Sequence, residues 1–162
     1  MSTRSNIIIK HGKNNILLYR HCDGYLDGAG QDLHDSLYSS RFSRNYEERD
    51  NFNIAKFLNK LLIDDCSYRL DDQLAGDIEY LYIFEFTDNY EHGDHYNRVK
   101  LKSITVDQNH GYGKGGKVKY KSLYDFQDAI LKFKEVAWTL EPKQLGSLGK
   151  LSRLSAYQYL LF

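Results

Sequence analysis

Residues 78–87, IEYLYIFEFT, constrain the fold of this chain more than any other segment. Strand alternation puts Ile78, Tyr80, Tyr82, Phe84 and Phe86 on one face and Glu79, Leu81, Ile83 and Glu85 on the other. Both faces are largely apolar, which predicts a central strand covered on both sides. A chain of 162 residues with 41% hydrophobic residues and one proline can build one core and has little room for a second. A single domain spanning residues 1–162 is therefore expected. The 14 tyrosines pair an apolar ring with a polar tip, which suits sheets, interfaces and ligand pockets alike.

Local patterns supply the neighbours of that strand. Residues 6–10 and 16–21 are apolar runs on either side of a Gly/Asn-containing turn, an opening β-hairpin. Three glycines, Gly24, Gly28 and Gly30, then impose a loop with demanding backbone angles. The next helix is expected to carry Leu33, Leu37, Tyr38 and Phe42 on one face. Ile54, Phe57, Leu58, Leu61 and Leu62 mark a second helix, capped by Asp50, Asn51 or Asn53. The loop 88–97 leads into an antiparallel partner strand at 99–106, and 117–120 alternate as a short strand. Ser122 and Asp125 have the spacing of a capping box, opening a helix that buries Leu123, Phe126, Ile130 and Phe133. Leu151, Leu154, Tyr157 and Leu161 give the tail an apolar face for the sheet or for a second subunit, so a homo-oligomer is expected. Together these elements predict an α+β fold, an antiparallel sheet of about five strands with three or four packed helices.

Equal numbers of basic and acidic residues, 22 each, argue against a generic polyanion binder. The neutral total hides segregation. Residues 23–97 hold 17 acidic and 6 basic side chains, a net of −11, whereas residues 98–121 hold seven basic and one acidic, a net of +6. Lysines alternating along strands put a row of charge on one face, which is either a solvated face or an anion-facing one.

Three motifs bear on chemistry. Gly111 to Val118, GYGKGGKV, nearly spells a phosphate-binding Walker A loop. Val118 stands where that motif needs a magnesium-binding hydroxyl, and the following residues alternate like a strand rather than a helix, so NTP hydrolysis is excluded. Its glycines and lysines remain suited to cradling a phosphate without hydrolysis. Glu91, His92, Asp94 and His95 offer metal-ligating groups but lack the helical spacing of an established template, and the alternative is an exposed polar turn. His21 and Cys22 are adjacent and point to opposite faces, so they are poorly placed to share a proton. His21 and Asp23 would share a face as an imidazole–carboxylate dyad, or with Tyr25 would organise the glycine turn by hydrogen bonds. No catalytic residue, metal or cofactor is assigned. Cys22 and Cys66 form no CxxC pair, and no apolar run suits a secretory signal or membrane span, so a cytoplasmic protein with reduced thiols and no membrane partner is expected.

The segments Ser2-Thr3-Arg4-Ser5-Asn6-Ile7, Tyr19-Arg20-His21-Cys22-Asp23-Gly24-Tyr25 and Gly28-Ala29-Gly30 resemble a group of small phage and prophage proteins. Those open S-T-R-S-x-I and continue Y-x-H-x-D-G-Y-x-x-G-x-G, often with Trp in place of Cys22, which weighs against an obligatory thiol there. The resemblance covers about the first 30 residues and carries over no catalytic role. It implies a viral or mobile-element origin and, by analogy, a counter-defence role. The leading expectation is a non-catalytic, phage-type accessory protein that sequesters a small anionic, nucleotide-like ligand. Its site would comprise Lys114, Lys117, Lys119, Tyr112 and Tyr120, with Tyr124 nearby and polar contacts from His21, Asp23 and Tyr25. One alternative is an inhibitor of a host defence or nucleic-acid-binding protein, acting through the acidic 23–97 surface. The other is a metal-dependent hydrolase using His92, Asp94 and His95.

Overall fold

Gly12 sets the first pairing in the chain. It adopts φ +60° in the turn between β1 (Ser5–His11) and β2 (Asn14–Arg20), whose ends His11 and Asn14 face each other. Glycine at the first central position is what a two-residue turn of the II′ kind requires, and its twist matches that of the strands. The computed structural model describes residues 3–41, 51–63, 68–88, 99–108 and 116–139. After the hairpin come a π-helical turn (Leu26–Gly30), α1 (Gln31–Ser39), β3 (Asn51–Phe52), α2 (Ile54–Ile63) and β4 (Tyr68–Asp71). The remaining elements are β5 (Tyr80–Asp88), β6 (Val99–Gln108), β7 (Lys117–Tyr120) and α3 (Leu123–Thr139).

The strands form one mixed sheet in the order β3-β6-β5-β1-β2-β4, with β7 also paired to β6. β5 lies between β1 and β6, the central place that its two apolar faces predict. The expected antiparallel sheet of five strands needs correction on two points. β1 and β5 pair in parallel, Ile7 opposite Tyr82 and Ile9 opposite Phe84, while every other pairing is antiparallel. A parallel pair needs a long crossover, here the whole path from β2 through α1 and α2 to β4, and no local pattern signals it. Among the described residues the sheet also has seven strands, because β3 and β4, of two and four residues, are too short to announce themselves. β3 and β7 share the outer edge of β6, one at Val99 and Lys100, the other from Ile104 to Asp107.

The main core lies between the helices and one face of this sheet. Tyr80, Tyr82, Phe84 and Phe86 are all buried there, together with Ile7, Ile9, Leu18, Ile104 and Val106. Phe84 joins two helices to the sheet: its ring lies 5.6 Å from Phe57 of α2 and 6.0 Å, edge-on, from Phe126 of α3. The expected helix faces recur. Phe57 and Leu61 are buried on α2, whose start is capped by the Asn53 side chain accepting from the Lys56 N–H at 3.0 Å. Phe126, Ile130 and Phe133 are buried on α3, where the Ser122 hydroxyl accepts from the Asp125 N–H at 3.1 Å. On α1, however, Tyr38 is exposed and His34 takes a buried place beside Leu33 and Leu37. Tyr38 stacks on His34 and lies under the Arg41 guanidinium, 3.6 Å from its ring centre, so part of its ring is covered without entering the core. Phe42 lies outside the described residues.

The opposite sheet face carries a smaller cluster of Tyr19, Ile78 and Leu81. Ile78 precedes β5 and packs here, not with Tyr80 as simple alternation predicts. Buried Asn6 holds the 72–78 segment over this cluster: its amide donates to the Leu18 carbonyl and its oxygen accepts from the Ala75 N–H, both at 2.9 Å. No helix among the described residues is long and apolar enough to cross a membrane.

Among the described glycines, Gly28 has the least room. A Cβ built there would lie 2.2 Å from the Asp23 carbonyl oxygen, a backbone atom that cannot step aside. Gly28→Ala is expected to cost about 2–4 kcal/mol by chemical denaturation. Gly12→Ala, with open space but a left-handed backbone, should cost about 1 kcal/mol.

Candidate functional site

The two N-terminal motif segments meet in space. The Gly24 N–H donates to the Thr3 carbonyl at 2.9 Å, and a Cβ on Gly24 would lie 2.9–3.0 Å from backbone and side-chain atoms of Arg4 and Ser5. Asp23 adopts φ 52°, its carbonyl accepts from the Ala29 N–H at 2.7 Å, and its carboxylate accepts from the Tyr25 hydroxyl at 2.7 Å. The Tyr82 hydroxyl, fully buried, donates to the Gly24 carbonyl at 2.8 Å. Burial raises the Tyr82 pKa well above the ordinary phenol range, which keeps the proton this bond needs. Asp23 and Tyr25 thus organise the glycine turn. His21 stands apart, exposed and 3.2 Å from the Tyr19 hydroxyl, and Asp23 bonds Tyr25 instead, so the two form no dyad. The positive φ at Asp23 ends the strand alternation on which that dyad depends. Cys22 is a half-buried free thiol.

Beside this turn the core becomes polar. On the helix-covered face, Tyr68, Arg20, Ser5, Tyr80 and Gln108 stand in register across β4, β2, β1, β5 and β6, all buried. Arg20 is the hub. Its Nε donates to the Cys22 carbonyl at 2.7 Å, and one terminal nitrogen donates both to Asp32 and to the Tyr68 hydroxyl. Burial alone would lower the Arg20 pKa, but Tyr68 and Asp32 outweigh it and the pKa is raised. Ser5 Oγ and both polar atoms of the Gln108 side chain have no hydrogen-bond partner among the described residues. Sequence patterns flag none of Arg20, Asp32 and Tyr68 as a group. The one available signal is a charged residue closing an apolar strand.

Arg20 also underlies a concavity. Asp32, Asp35, Ser36 and Ser39 of α1, Lys60 and Leu61 of α2, and Tyr68 of β4 line an open cleft of about 480 Å³.

The lysines occupy the other sheet face. Lys117 and Lys119 are exposed, opposite Asp107 and Thr105 of β6, and Lys10 lies opposite Glu85 in the β1–β5 register. Lys102 is the extra residue of a bulge in β6 and bonds Glu85 at 2.9 Å. This hydrogen bond, then the charges of Lys102, Lys119 and Lys10, hold the Glu85 pKa below its ordinary value. Lys10, Lys102 and Lys119 therefore converge on Glu85, whereas Lys117 lies 3.9 Å from Asp107. Between them and Tyr19 run the half-buried side chains of Leu17, Ile8 and Ile83, adjacent in register. Tyr120 does not join this group. Alternation turns it to the helix side, 5.6 Å from Phe126, where burial pushes its phenol up to about 12. Tyr124, on the first turn of α3, is exposed. Tyr112 and Lys114 of the glycine loop, and His92, Asp94 and His95, lie outside the described residues. Among the described residues no three His, Cys, Asp or Glu side chains are placed to hold a metal. Compared with known proteins, the chain matches no family model, no curated sequence and no solved structure.

Asp32 and Glu79 each carry a consequence for stability. Asp32→Asn leaves the buried Arg20 charge with a weaker acceptor. It should cost about 1.5–3 kcal/mol in urea titration, nearer the lower figure because Asp32 is half exposed. Burial raises the pKa of Glu79, and Arg4 offsets only part of that. A carboxyl whose folded pKa exceeds its unfolded one loses stability as pH rises through that interval. Glu79→Gln should therefore melt above the wild type at pH 7, with the difference gone by about pH 3.

Proposed function

We propose that the protein is a binding protein for a small anionic, nucleotide-like ligand held on the lysine-bearing sheet face, and that it carries out no reaction on it. The observation that carries this reading is the gathering of Lys10, Lys102 and Lys119 around Glu85 beside the aliphatic strip of Leu17, Ile8 and Ile83. Charge and apolar surface side by side suit a ligand with a phosphate at one end and a planar base at the other. One carboxylate among three lysines leaves a net positive site. The lysines belong to three strands, so the sheet itself fixes their spacing.

The site retains Lys119 from the basic segment, with Lys117 beside it paired to Asp107, and adds Lys10 and Lys102. Tyr120, on the far face, is not part of it. With the phage-type resemblance of the first 30 residues, sequestration of a host signalling nucleotide becomes the biological reading, and a homo-oligomer with sites near subunit boundaries belongs to the same proposal.

Lys102→Ala combined with Lys119→Ala should weaken binding of mono- and dinucleotides by about tenfold or more in calorimetric titration. The loss should shrink as salt rises. Unchanged affinity for every nucleotide bound by the wild type would remove the site from this face. Recovery of every bound nucleotide unaltered after prolonged incubation is the expected result; a converted product would make the protein an enzyme.

A further inference from the structure

The cleft between α1, α2 and β4 lies on the helix side of the sheet, away from the lysines. We infer that it is a second, independent site, for a neutral ligand bearing a vicinal diol, such as a monosaccharide or a ribonucleoside.

Size and charge come first. A cleft of about 480 Å³ falls within the range of small-molecule sites. Asp32 and Asp35 bring two negative charges to it, and Lys60 with the Arg20 beneath brings two positive ones. The balance leaves no net charge for an ionic ligand to neutralise. Lined by one aliphatic side chain, Leu61, the cleft does not suit an apolar ligand either.

Hydrogen-bonding capacity selects hydroxyl groups. A carboxylate accepts through about four lone-pair positions. Asp35 Oδ1 accepts from Gln31 at 2.8 Å and lies 2.9 Å from His34 Nδ1, which leaves capacity on a carboxylate that is itself largely exposed. Asp32 is anchored through Oδ2 by Arg20 and is half exposed. Ser36 and Lys60 add donors, and Lys60 has no ion-pair partner among the described residues. Adjacent hydroxyls on a ring present two donors and two acceptors at fixed spacing, matching a carboxylate and a donor side by side. Tyr68 is buried under Arg20 and reaches the cleft only at its wall, so the hydroxyl-matching groups of α1 and α2 carry the recognition.

The floor is built rather than incidental. Arg20, its side chain 7% exposed, fixes Asp32 and Tyr68 in one hydrogen-bonded group, and the Tyr68 ring lies 4.9 Å beneath the guanidinium carbon. Asp32 cannot reorient without leaving a buried charge unpaired, and Tyr68 is held by burial and its bond to Arg20, so their positions are set before any ligand arrives.

The test is a titration of the wild-type protein with ribose, glucose, adenosine and 2′,3′-dideoxyadenosine, followed by amide and side-chain NMR shifts of Ser36, Lys60 and Tyr68. The expected result is saturable shifts with adenosine or a sugar, and at least a tenfold loss of affinity for the dideoxy analogue. Sugars binding as well as adenosine would identify a monosaccharide site; adenosine alone would identify a nucleoside site. Asp35→Asn with Lys60→Ala, which spares the Arg20 group, should abolish the shifts, whereas Lys102→Ala with Lys119→Ala should leave them intact. That contrast separates this site from the anion site. The inference is overturned if no probe moves these residues at millimolar concentration, or if the dideoxy analogue binds as tightly as adenosine.

Discussion

A single buried guanidinium ties this structure together. Arg20 closes β2, reaches across to Tyr68 on β4, holds Asp32 at the start of α1 and supports the Cys22 carbonyl before the glycine turn. Three partners, up to 48 residues away in the chain, converge on it. A charge in that position is tolerable only because every neighbour answers it: a carboxylate, a phenol, a carbonyl and an aromatic face. The glycine turn depends on the same corner. Gly24 and Gly28 allow its backbone to lie against Thr3, Arg4 and Asp23, and the Tyr82 hydroxyl secures it from beneath.

The sheet then divides the molecule by chemistry. One face accepts three helices and an aromatic core, with Phe84 between Phe57 and Phe126. That face turns polar at one end, where the row from Tyr68 to Gln108 crosses five strands. The other face has a small cluster under residues 72–78 and, beside it, lysines arranged around Glu85. Two surfaces of different character result, one basic and one charge-balanced.

Much of the fold was legible because its signals are local. The hairpin is written in Gly12 and the flanking apolar runs, the β5 strand in its alternation, and the caps of α2 and α3 in Asn53 and Ser122. Signals fade where an element is short or its partner distant. Two residues of β3 have no periodicity to read, and the parallel β1–β5 pairing spans more than 70 positions of chain. Tyr38 fits the apolar face of α1 by spacing, yet stacking on His34 and Arg41 shelters part of its ring outside the core. The candidate sites were legible to a lesser degree. Lys117 and Lys119 stand out as a pair, but Tyr120 beside them faces the other way, and Lys10 joins them only because β1 lies beside β5.

By itself the sequence determined which of the longer segments are strands and helices, which residues of each are apolar, and that acidic and basic side chains occupy different stretches of chain. Those properties follow from the side-chain period of a strand or a helix, which a few neighbouring residues are enough to set. Tertiary structure decided which strands are neighbours, and with that which charges meet. Arg20 finds Asp32 and Tyr68, and Lys10 finds Glu85 beside Lys102, only once the sheet order is fixed. Sheet order depends on long-range burial of whole faces, where the gain is shared by many residues and no single segment records it.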